Sequence, residues 1–330
     1  MRIIAIEEHF QIAEINRAVA KWLPARGGFR PVGYRQPESE LEDLGAGRLR
    51  AMDSMGVDMQ VLSYTTVALP ALPAAEAVSI IQEINDRLAA AIQAHPERLA
   101  GFATLPLTAP EAAARELERT VSRLGFKGAM INGRVEGLFL DDPRFRPVLE
   151  AAEALDVPIY LHPAPPPDSV IDACYAGLPP NVTTVFATAG WGWHLETGIH
   201  ALHLILAGLF DRHPRLKMIL GHWGEMIPFY LARVNQTLTP VATHLQRPVA
   251  DYFLEHFYVT PSGMFTLPPL LLTLQIMGAD HILYAVDYPY IQDRQARAFL
   301  EQAPLSPADR EKIAHGNAER LLKLKSAAQA

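Results

Sequence analysis

Arg2-Ile-Ile-Ala-Ile-Glu-Glu-His9 is the stretch that decides the fold, because an apolar, β-branched run leads directly into two acids and a histidine. Such a run predicts a buried β-strand, and its polar end predicts that the strand stops at a functional surface. Similar short runs recur to the end of the chain. Including the first, we predict strands at Arg2–Glu7, Met59–Ser63, Ala100–Thr104, Gly128–Ile131, Pro158–Leu161, Lys217–Leu220, Phe257–Thr260 and His281–Val286.

Helical patterns separate most of these strands. Two of the helices begin with capping sequences, Thr108-Ala-Pro-Glu111 and Ser306-Pro307, in which a hydroxyl precedes a proline in the first turn. The predicted helices are Glu40–Met55, Ala74–His95, Ala112–Leu124 and a last helix from Ser306 to about Leu324.

Strands that alternate with helices indicate parallel βαβ units, and about eight units favour a closed (β/α)8 TIM barrel formed by one domain, residues 1–330. The rival is an open doubly wound sheet, but no glycine-rich phosphate loop follows the first strand. Two connections are long, from about Phe10 to Ser39 after strand 1 and from Pro163 past Trp193 after strand 5. In a barrel both lie on the catalytic face, where they would cover a pocket or contact another subunit; the alternative is an ordinary surface insertion.

Composition excludes several functional classes. The chain has 330 residues, of which 49% are hydrophobic, and a formal net charge of −7. Without a basic block, neither nucleic acid nor an anionic membrane is an expected partner. The single cysteine, Cys174, rules out a disulfide framework within the chain and fits a reducing cytoplasm. The first apolar run is too short for a signal peptide, and no apolar stretch is long enough to span a bilayer.

Acids and imidazoles end four of the predicted strands. Strand 1 ends in Glu7-Glu8-His9, strand 5 in His162, strand 6 in His222, and strand 8 in Asp287. In a closed barrel these groups meet in one mouth, where they are stabilised together if a cation binds them, and nitrogen and oxygen ligands suit Zn²⁺ or Mn²⁺. Strand periodicity places Glu7 and His9 on one face and Glu8 on the other, so Glu7 and His9 are the ligand candidates.

Each of these residues also has a purely structural interpretation. Asp287 alone fits a helix N-cap or a turn, His162 fits a hydrogen-bonded core histidine, and His222 fits a helix start. Their shared position at strand ends favours the functional interpretation. Glu225, three residues beyond His222, is placed to hold the tautomer of that imidazole, unless it is simply solvated in the first turn of a helix.

Other side chains are candidates for substrate contact. Arg233 lies about two turns beyond Glu225 and either meets a carboxylate or forms a surface ion pair. Four aromatic side chains are placed to stack on an aromatic substrate, although each is also explained by packing: Phe10, Trp191, Trp193 and Tyr290. The remaining histidines, including His194, are interpreted as structural, and Cys174 has no neighbouring group that would activate it.

Together these motifs resemble the amidohydrolase-related, metal-dependent decarboxylases, the group that includes amino-carboxymuconate-semialdehyde decarboxylase and the hydroxybenzoate decarboxylases. The likeness rests on Glu7-Glu-His-Phe10, Tyr160-Leu-His-Pro163, Leu220-Gly-His-Trp-Gly-Glu225 and Asp287-Tyr-Pro289, and smaller matches extend it over nearly the whole chain. The Glu-Glu-His-Phe start is most similar to that of the γ-resorcylate (2,6-dihydroxybenzoate) decarboxylases.

The resemblance implies one divalent metal per chain, held by Glu7, His9, His162 and Asp287, with Zn²⁺ expected first and Mn²⁺ or Mg²⁺ as alternatives, and no organic cofactor. It also implies that Asp287 carries the proton to the ring carbon and that His222, oriented by Glu225, assists. Arg233 matches a family arginine near the substrate carboxylate or the subunit boundary, and homodimers or homotetramers are usual in the family.

The expected reaction is the non-oxidative decarboxylation of an ortho-hydroxy aromatic acid, since a phenolic and a carboxylate oxygen can chelate one divalent ion. The rivals are hydrolysis of a lactone or amide, hydration of an unsaturated acid, and a metal-binding protein without catalysis. The end of strand 4 reads Ala129-Met-Ile-Asn132 and lacks the lysine that bridges two metals in hydrolytic relatives, which disfavours two-metal hydrolysis.

Overall fold

The computed structural model describes residues 1–22, 37–65, 69 and 72–325. Seven of the predicted strands are present, with ends that differ by up to three residues from the prediction, and the hydrophobic runs therefore located the sheet correctly. The strands are β1 (Ile4–Phe10), β2 (Met59–Tyr64), β3 (Leu99–Gly101), β4 (Ala129–Asn132), β5 (Ile159–His162), β6 (Met218–Leu220) and β7 (Phe257–Val259).

All strand pairs are parallel, and single bridges close them into a ring. Strands β1–β3 form one sheet and β4–β7 another. Ala103 pairs with Ala129 and so joins the two sheets. The predicted eighth strand is present as the segment Ile282–Tyr284, which bridges Val259 on one side and Ala5 on the other. The architecture is therefore the expected α/β barrel, with an eighth position that is too short to count as a regular strand.

Helices surround the ring and follow the strands along the chain. Their bounds are α1 (Ala13–Val19), α2 (Glu38–Glu42), α3 (Ala46–Met55), α4 (Ala74–Ala94), α5 (Pro110–Leu124), α6 (Arg146–Leu155), α7 (Asp168–Cys174), α8 (Pro180–Ala187), α9 (Gly192–Leu206), α10 (Leu209–Arg212), α11 (His222–Glu225), α12 (Ile227–Leu238), α13 (Val249–His256), α14 (Leu267–Met277), α15 (Ala296–Gln302), α16 (Pro307–Glu311) and α17 (Asn317–Leu321). None of the helices in the described residues combines the length and apolar character that a membrane crossing requires.

Three helix predictions need correction. The predicted helix Glu40–Met55 is divided into α2 and α3 at residues 43–45. The capping box before α5 does not form, because Ala109 is the N-cap residue and the buried Thr108 hydroxyl has no partner among the described residues. The last helix contains a π-helical turn at Lys312–Gly316. The Ser306 cap is confirmed, since its hydroxyl accepts a hydrogen bond from the Asp309 N–H.

The core has an inner and an outer layer. Alternate residues of the strands fill the barrel, among them Ile4, Ile6, Met59, Val61, Phe102 and Tyr160, and the intervening residues pack against the helices. The pairing of β1 with β2 shifts between Ala5 and Glu8, where two residues of β1 oppose one of β2. Ile4 and Ile6 point into the barrel, and strict alternation would therefore turn Glu7 and His9 outward. The β-bulge shifts the alternation of side chains by one residue, so that Glu7 and His9 also point into the barrel.

The two long connections differ in what the structure describes. After β1 the chain forms α1 and returns at α2, whereas Gly27-Gly28 and the rest of residues 23–36 lie outside the described residues. After β5 the chain forms α7 and α8 before it enters α9 at Gly192. The second connection therefore carries its own short helices, and it leads to the residues that flank the barrel mouth.

Candidate active site

The barrel mouth collects four of the predicted side chains. Glu7 and His9 come from β1, His162 ends β5, and Asp287 follows the eighth strand position. The Glu7 Oε1 atom lies 3.4 Å from His162 Nε2, and Asp287 Oδ1 lies 3.2 Å from His9 Nε2. The His9 and His162 rings meet edge to face with centroids 4.9 Å apart. The strand ends thus converge as the sequence predicts.

Hydroxyl groups hold one oxygen of the Glu7 carboxylate. Tyr160 and Ser262 donate to Oε2, and Thr260 Oγ1 lies 3.3 Å from the same atom. Burial, and next the neighbouring Glu7 charge, raise the pKa of the Tyr160 phenol well above its usual value, which keeps it a donor. The other oxygen, Oε1, has no hydrogen-bond partner within the described residues. The carboxylate is therefore oriented by one oxygen and presents the other.

A glycine makes room for this carboxylate. A Cβ atom at Gly221 would lie 2.8 Å from Ser262 Oγ and 3.0 Å from Glu7 Oε2. Any side chain at this position would displace the carboxylate or its hydroxyl donor. The Gly221-His222 sequence after β6 therefore serves the Glu7 carboxylate as well as the imidazole that follows.

The mouth has the properties of a metal site. Ligand atoms of Glu7, His9 and His162 lie within 4.8 Å of one another. Burial lowers the pKa of His9 to about 4 and that of His162 to about 3, so both imidazoles are neutral at neutral pH, the form that binds a metal. His9 Nε2, like Glu7 Oε1, is buried without a hydrogen-bond partner among the described residues. Buried polar atoms without partners are costly, and a divalent cation would satisfy both.

Glu8 faces away from the mouth, as predicted, and secures the loop that carries Asp287. Its carboxylate accepts hydrogen bonds from the N–H groups of Val286 at 2.8 Å and Tyr288 at 3.2 Å, the two neighbours of Asp287. Gln60 Nε2 also donates to it, at 3.3 Å. Burial raises the pKa of Glu8, whereas these donors and the buried Arg48 favour its anion. Asp287 itself has a φ of +68°, a left-handed conformation that these bonds fix from both sides.

A second group lies on a left-handed turn after β6. The φ angles of His222, Trp223, Gly224, Glu225 and Met226 are +49°, +60°, +82°, +53° and +65°. This conformation costs about 1–2 kcal/mol for each non-glycine residue. The Trp223 N–H bonds to Thr260 O at 2.7 Å, and its indole N–H bonds to Met264 O at 2.9 Å. The segment α11 is therefore a left-handed turn and not the right-handed helix start that is one interpretation of His222 in the sequence.

Glu225 lies between two imidazoles. Its Oε1 is 2.9 Å from His222 Nδ1, and its Oε2 is 2.8 Å from His194 Nδ1. Burial alone would lower the pKa of His222, but the Glu225 carboxylate raises it to about 9. Burial opposes the charge of Glu225 itself, yet His222 and His194 lower its pKa. Burial also raises the pKa of Asp287 to about 7, against the opposing effect of His222.

The residues predicted to contact the substrate lie in different places in the structure. Tyr290 lies beside the mouth, with its ring centroid 5.6 Å from that of His9. Trp193 donates its indole N–H to His194 Nε2 at 3.0 Å. Phe10 is fully buried and packs edge to face on Tyr64, on the outer side of β1, so its predicted role in stacking on a substrate is corrected. Arg233 is exposed on α12, and its side chain makes no ion pair with the described residues.

Sequence reasoning missed four residues of the site. Tyr160 precedes His162 by two positions, so strand alternation could have placed both on the inner face. Thr260 and Ser262 follow β7 with the same spacing, but their hydroxyls carry no strong sequence signal. The sequence favours a structural role for His194, which lies at the start of an apolar helix, and only the three-dimensional contact with Glu225 reveals its place.

A parallel α/β barrel with this cluster of carboxylates and imidazoles at its strand ends defines the class of metal-dependent barrel enzymes. The chain belongs to the amidohydrolase family, whose model matches residues 6–324. It is 39% identical to a γ-resorcylate decarboxylase of Rhodococcus jostii (strain RHA1), over 97% of this chain and 98% of the relative.

Two crystal structures extend this similarity. One is 2,6-dihydroxybenzoate decarboxylase complexed with 2,6-dihydroxybenzoate, with a TM-score of 0.87 at 36% identity, covering 98% of this chain and 100% of that one. The other is a dihydroxybenzoic acid decarboxylase from Polaromonas sp. JS666 with bound manganese and the inhibitor 2-nitroresorcinol. Its TM-score is 0.88 at 36% identity, and the match covers 99% of this chain and 98% of that one.

Proposed function

We propose that this protein catalyses the metal-dependent, non-oxidative decarboxylation of an ortho-hydroxy aromatic acid similar to 2,6-dihydroxybenzoate. The observation that carries the proposal is the pairing of two groups in one barrel mouth: the cluster of Glu7, His9, His162 and Asp287, and the His222–Glu225 pair. The full-length similarity to γ-resorcylate decarboxylases supports the same reaction.

We assign the metal to Glu7, His9, His162 and Asp287. The Glu7 Oε1 and His9 Nε2 atoms, which make no hydrogen bond to the described residues, and the neutral imidazoles fit a divalent ion. Two nitrogen and two oxygen donors suit Zn²⁺, and Mn²⁺ and Mg²⁺ are the alternatives; Mn²⁺ is the ion in the Polaromonas relative. When bound, the ion supplies positive charge that holds the substrate oxygens and stabilises a phenolic anion.

The side chains of the protein then transfer one proton to the substrate. A carboxyl proton on Asp287 goes to the ring carbon that bears the carboxylate. The bond from this carbon to CO₂ breaks, its electron pair returns to the ring, and CO₂ leaves with no net oxidation. His222, held at Nδ1 by Glu225, assists by hydrogen bonding to the phenolic group. Solvent restores the proton, so no organic cofactor is required.

Aromatic side chains beside the mouth suit an aromatic acid. Tyr290 lies next to His9, and Trp193 lies next to His194, so the two rings border the two groups of the site. Aromatic rings stack on one another with centroids about 4.5–7 Å apart. We propose these two side chains as substrate contacts, and we drop Phe10 from that role.

Deuterium incorporation tests the reaction directly. With 2,6-dihydroxybenzoate in D₂O, the product should be resorcinol with one deuterium at the former carboxyl carbon, measured by mass spectrometry after exchange of the hydroxyl groups. High bicarbonate should drive slow carboxylation of resorcinol, because the same site catalyses both directions. Benzoate is the matched control: without an ortho-hydroxyl it should not react.

Three results would contradict the proposal. Turnover of benzoate at the same rate would reject the role of the ortho-hydroxyl. Activity only on lactones or amides would indicate the hydrolase alternative, and water addition to an unsaturated acid would indicate the hydratase. Metal binding with no turnover across aromatic acids would leave a non-catalytic metal protein.

We further propose that the chain is one domain that works as a homodimer or homotetramer in the cytoplasm. Phe229 and Tyr230 are 68% and 57% exposed on α12, the helix that also carries Arg233. Large apolar side chains exposed side by side are typical of an interface, and there Arg233 would approach the substrate carboxylate of a neighbouring subunit. Light scattering on the purified protein measures the subunit number, and a monomer at micromolar concentration would contradict this assignment.

A further inference from the structure

His194 occupies a position that the reaction as described does not use. It lies in the first turn of α9 and contacts the Glu225 carboxylate at the oxygen that does not bond to His222. The His194 and His222 ring centroids are 4.4 Å apart. Each imidazole bonds to a different oxygen of Glu225, at 2.8 Å and 2.9 Å. The Glu225 side chain is fully buried, whereas that of His194 is 16% exposed.

The hydrogen bonds to Glu225 show that the Nδ1 atom of each imidazole carries hydrogen. A carboxylate accepts only, so both Nδ1 atoms donate to Glu225. An indole N–H donates only, and Trp193 directs it at His194 Nε2 from 3.0 Å. His194 is therefore held between Trp193 and Glu225, with its Nδ1 donating to the carboxylate. Ala189 O lies 3.1 Å from the same Nε2 and is its second polar neighbour.

We propose that His194 is a positioning residue for His222. It binds Oε2 of Glu225, the oxygen that His222 does not contact, so that the carboxylate cannot rotate away from His222 Nδ1. His222 Nε2 has no hydrogen-bond partner in the described part of the chain, and it is the nitrogen left for the substrate. The proposal rests on the proposed decarboxylation, in which His222 contacts the phenolic group. The proposal adds His194, which Trp193 contacts, as a third residue to the His222–Glu225 pair of the sequence motif.

The same three side chains have the composition of a metal site, and this alternative is distinguishable. Their ligand atoms lie within 4.8 Å of one another. Both Glu225 oxygens, however, already accept N–H groups, and a metal on either Nδ1 would require the loss of that hydrogen. A buried carboxylate between two N–H donors is satisfied without a cation. We therefore expect one metal per chain rather than two.

The decisive comparison is between two substitutions at residue 194. His194→Leu removes the donor to Glu225, whereas His194→Asn places an amide N–H near the former Nδ1. The leucine variant should lower kcat for 2,6-dihydroxybenzoate by about tenfold or more, with KM changed less than about twofold, and asparagine should restore most of kcat. His203→Leu, on the same helix but paired with Asp141, is the control and should match the wild type.

A second measurement does not depend on turnover. Nitrogen-15 NMR of labelled histidines, assigned by the loss of a signal in His222→Asn, reports the Nδ1 proton of His222. This proton signal should persist in His194→Asn and should broaden or shift in His194→Leu. If the leucine variant does not fold, His194→Gln replaces it. The longer glutamine side chain places its amide at the former Nε2 position, so this variant also lacks the donor to Glu225 at the Nδ1 position.

The outcomes separate this inference from the proposed function. If no variant and no wild-type protein decarboxylates a hydroxybenzoate, the proposed function fails, while the NMR comparison still decides the role of His194. An unchanged kcat together with an unchanged His222 signal in His194→Leu would overturn the positioning role. A second metal equivalent that disappears in His194→Leu would overturn it in favour of a metal site.

Discussion

Replacing Glu8 by glutamine tests whether the loop that carries Asp287 is held from behind. The substitution conserves shape but exchanges one acceptor oxygen for an NH₂ group. The side chain can then accept from Val286 N–H or from Tyr288 N–H, but not from both. Gln60 cannot compensate by turning its amide, because its oxygen accepts a hydrogen bond from Arg48 at 3.1 Å. One buried donor is left facing another donor.

The expected loss follows from these bonds. A buried N–H without an acceptor costs about 1–3 kcal/mol, and the bond that it loses was made to a charged group, so we expect the free energy of unfolding to fall by about 2–4 kcal/mol. The left-handed Asp287 loses one of its two flanking restraints, and kcat should fall with it. Urea unfolding followed by circular dichroism, with and without a chelator, measures the stability apart from metal binding.

Glu14→Gln is the matched control for this change. Glu14 is 65% exposed on α1 and pairs with Arg87 at 3.7 Å, so the same chemical exchange there should alter stability by less than about 0.5 kcal/mol. A Glu8→Gln protein as stable as the control, with full kcat, would refute the role of Glu8 in securing the Asp287 loop.

Three further predictions concern the metal, the proton and the pH dependence of stability. His162→Ala should lose most of the metal by elemental analysis, while His213→Ala, remote from the mouth, should retain it; full occupancy in His162→Ala would remove His162 from the ligand set. Asp287→Asn should abolish decarboxylation and carboxylation together, and activity in one direction alone would contradict a shared proton carrier. Burial lowers the pKa of His200 to about 3, so its neutral form stabilises the fold fully above pH 6.5, and this contribution is lost as the pH falls towards 3. The Leu140 N–H bonds to His200 Nε2 at 2.9 Å, and His200→Gln keeps an acceptor for it. The variant should reduce the slope of the free energy of unfolding against pH below pH 6.5 by about 1.4 kcal/mol per pH unit. Parallel pH profiles of the variant and the wild type would contradict this.

Hydrophobic runs predicted the strands because a buried parallel strand is apolar along its whole length. The polar residues at four strand ends then predicted the mouth, and all four come together there. The bulge in β1 was not predictable. Strict alternation from Ile4 and Ile6 would turn Glu7 and His9 outward, and only the shifted pairing with β2 brings them inside.

Long-range and conformational features were also beyond the sequence. His194 and Glu225 are far apart along the chain, and no periodicity connects them. The capping box at Thr108 does not form, since α5 begins one residue later, with Ala109 as the N-cap residue. The turn after β6 contains four residues with side chains that disfavour positive φ, so local propensity argues against the conformation that tertiary hydrogen bonds impose.

That left-handed turn has a consequence for engineering this enzyme. Five consecutive residues share one unusual backbone conformation, so the tolerated substitutions at residues 222–226 are set by the main chain as well as by the chemistry. Asparagine, aspartate and glycine adopt positive φ most readily, whereas valine and isoleucine resist it. A randomised library at Met226, whose side chain takes no part in the proposed reaction, should therefore be enriched in Asn and Gly and depleted of β-branched residues among active clones. Attempts to change substrate preference through this segment would select first for backbone shape, and adaptive variation is better sought around Trp193 and Tyr290.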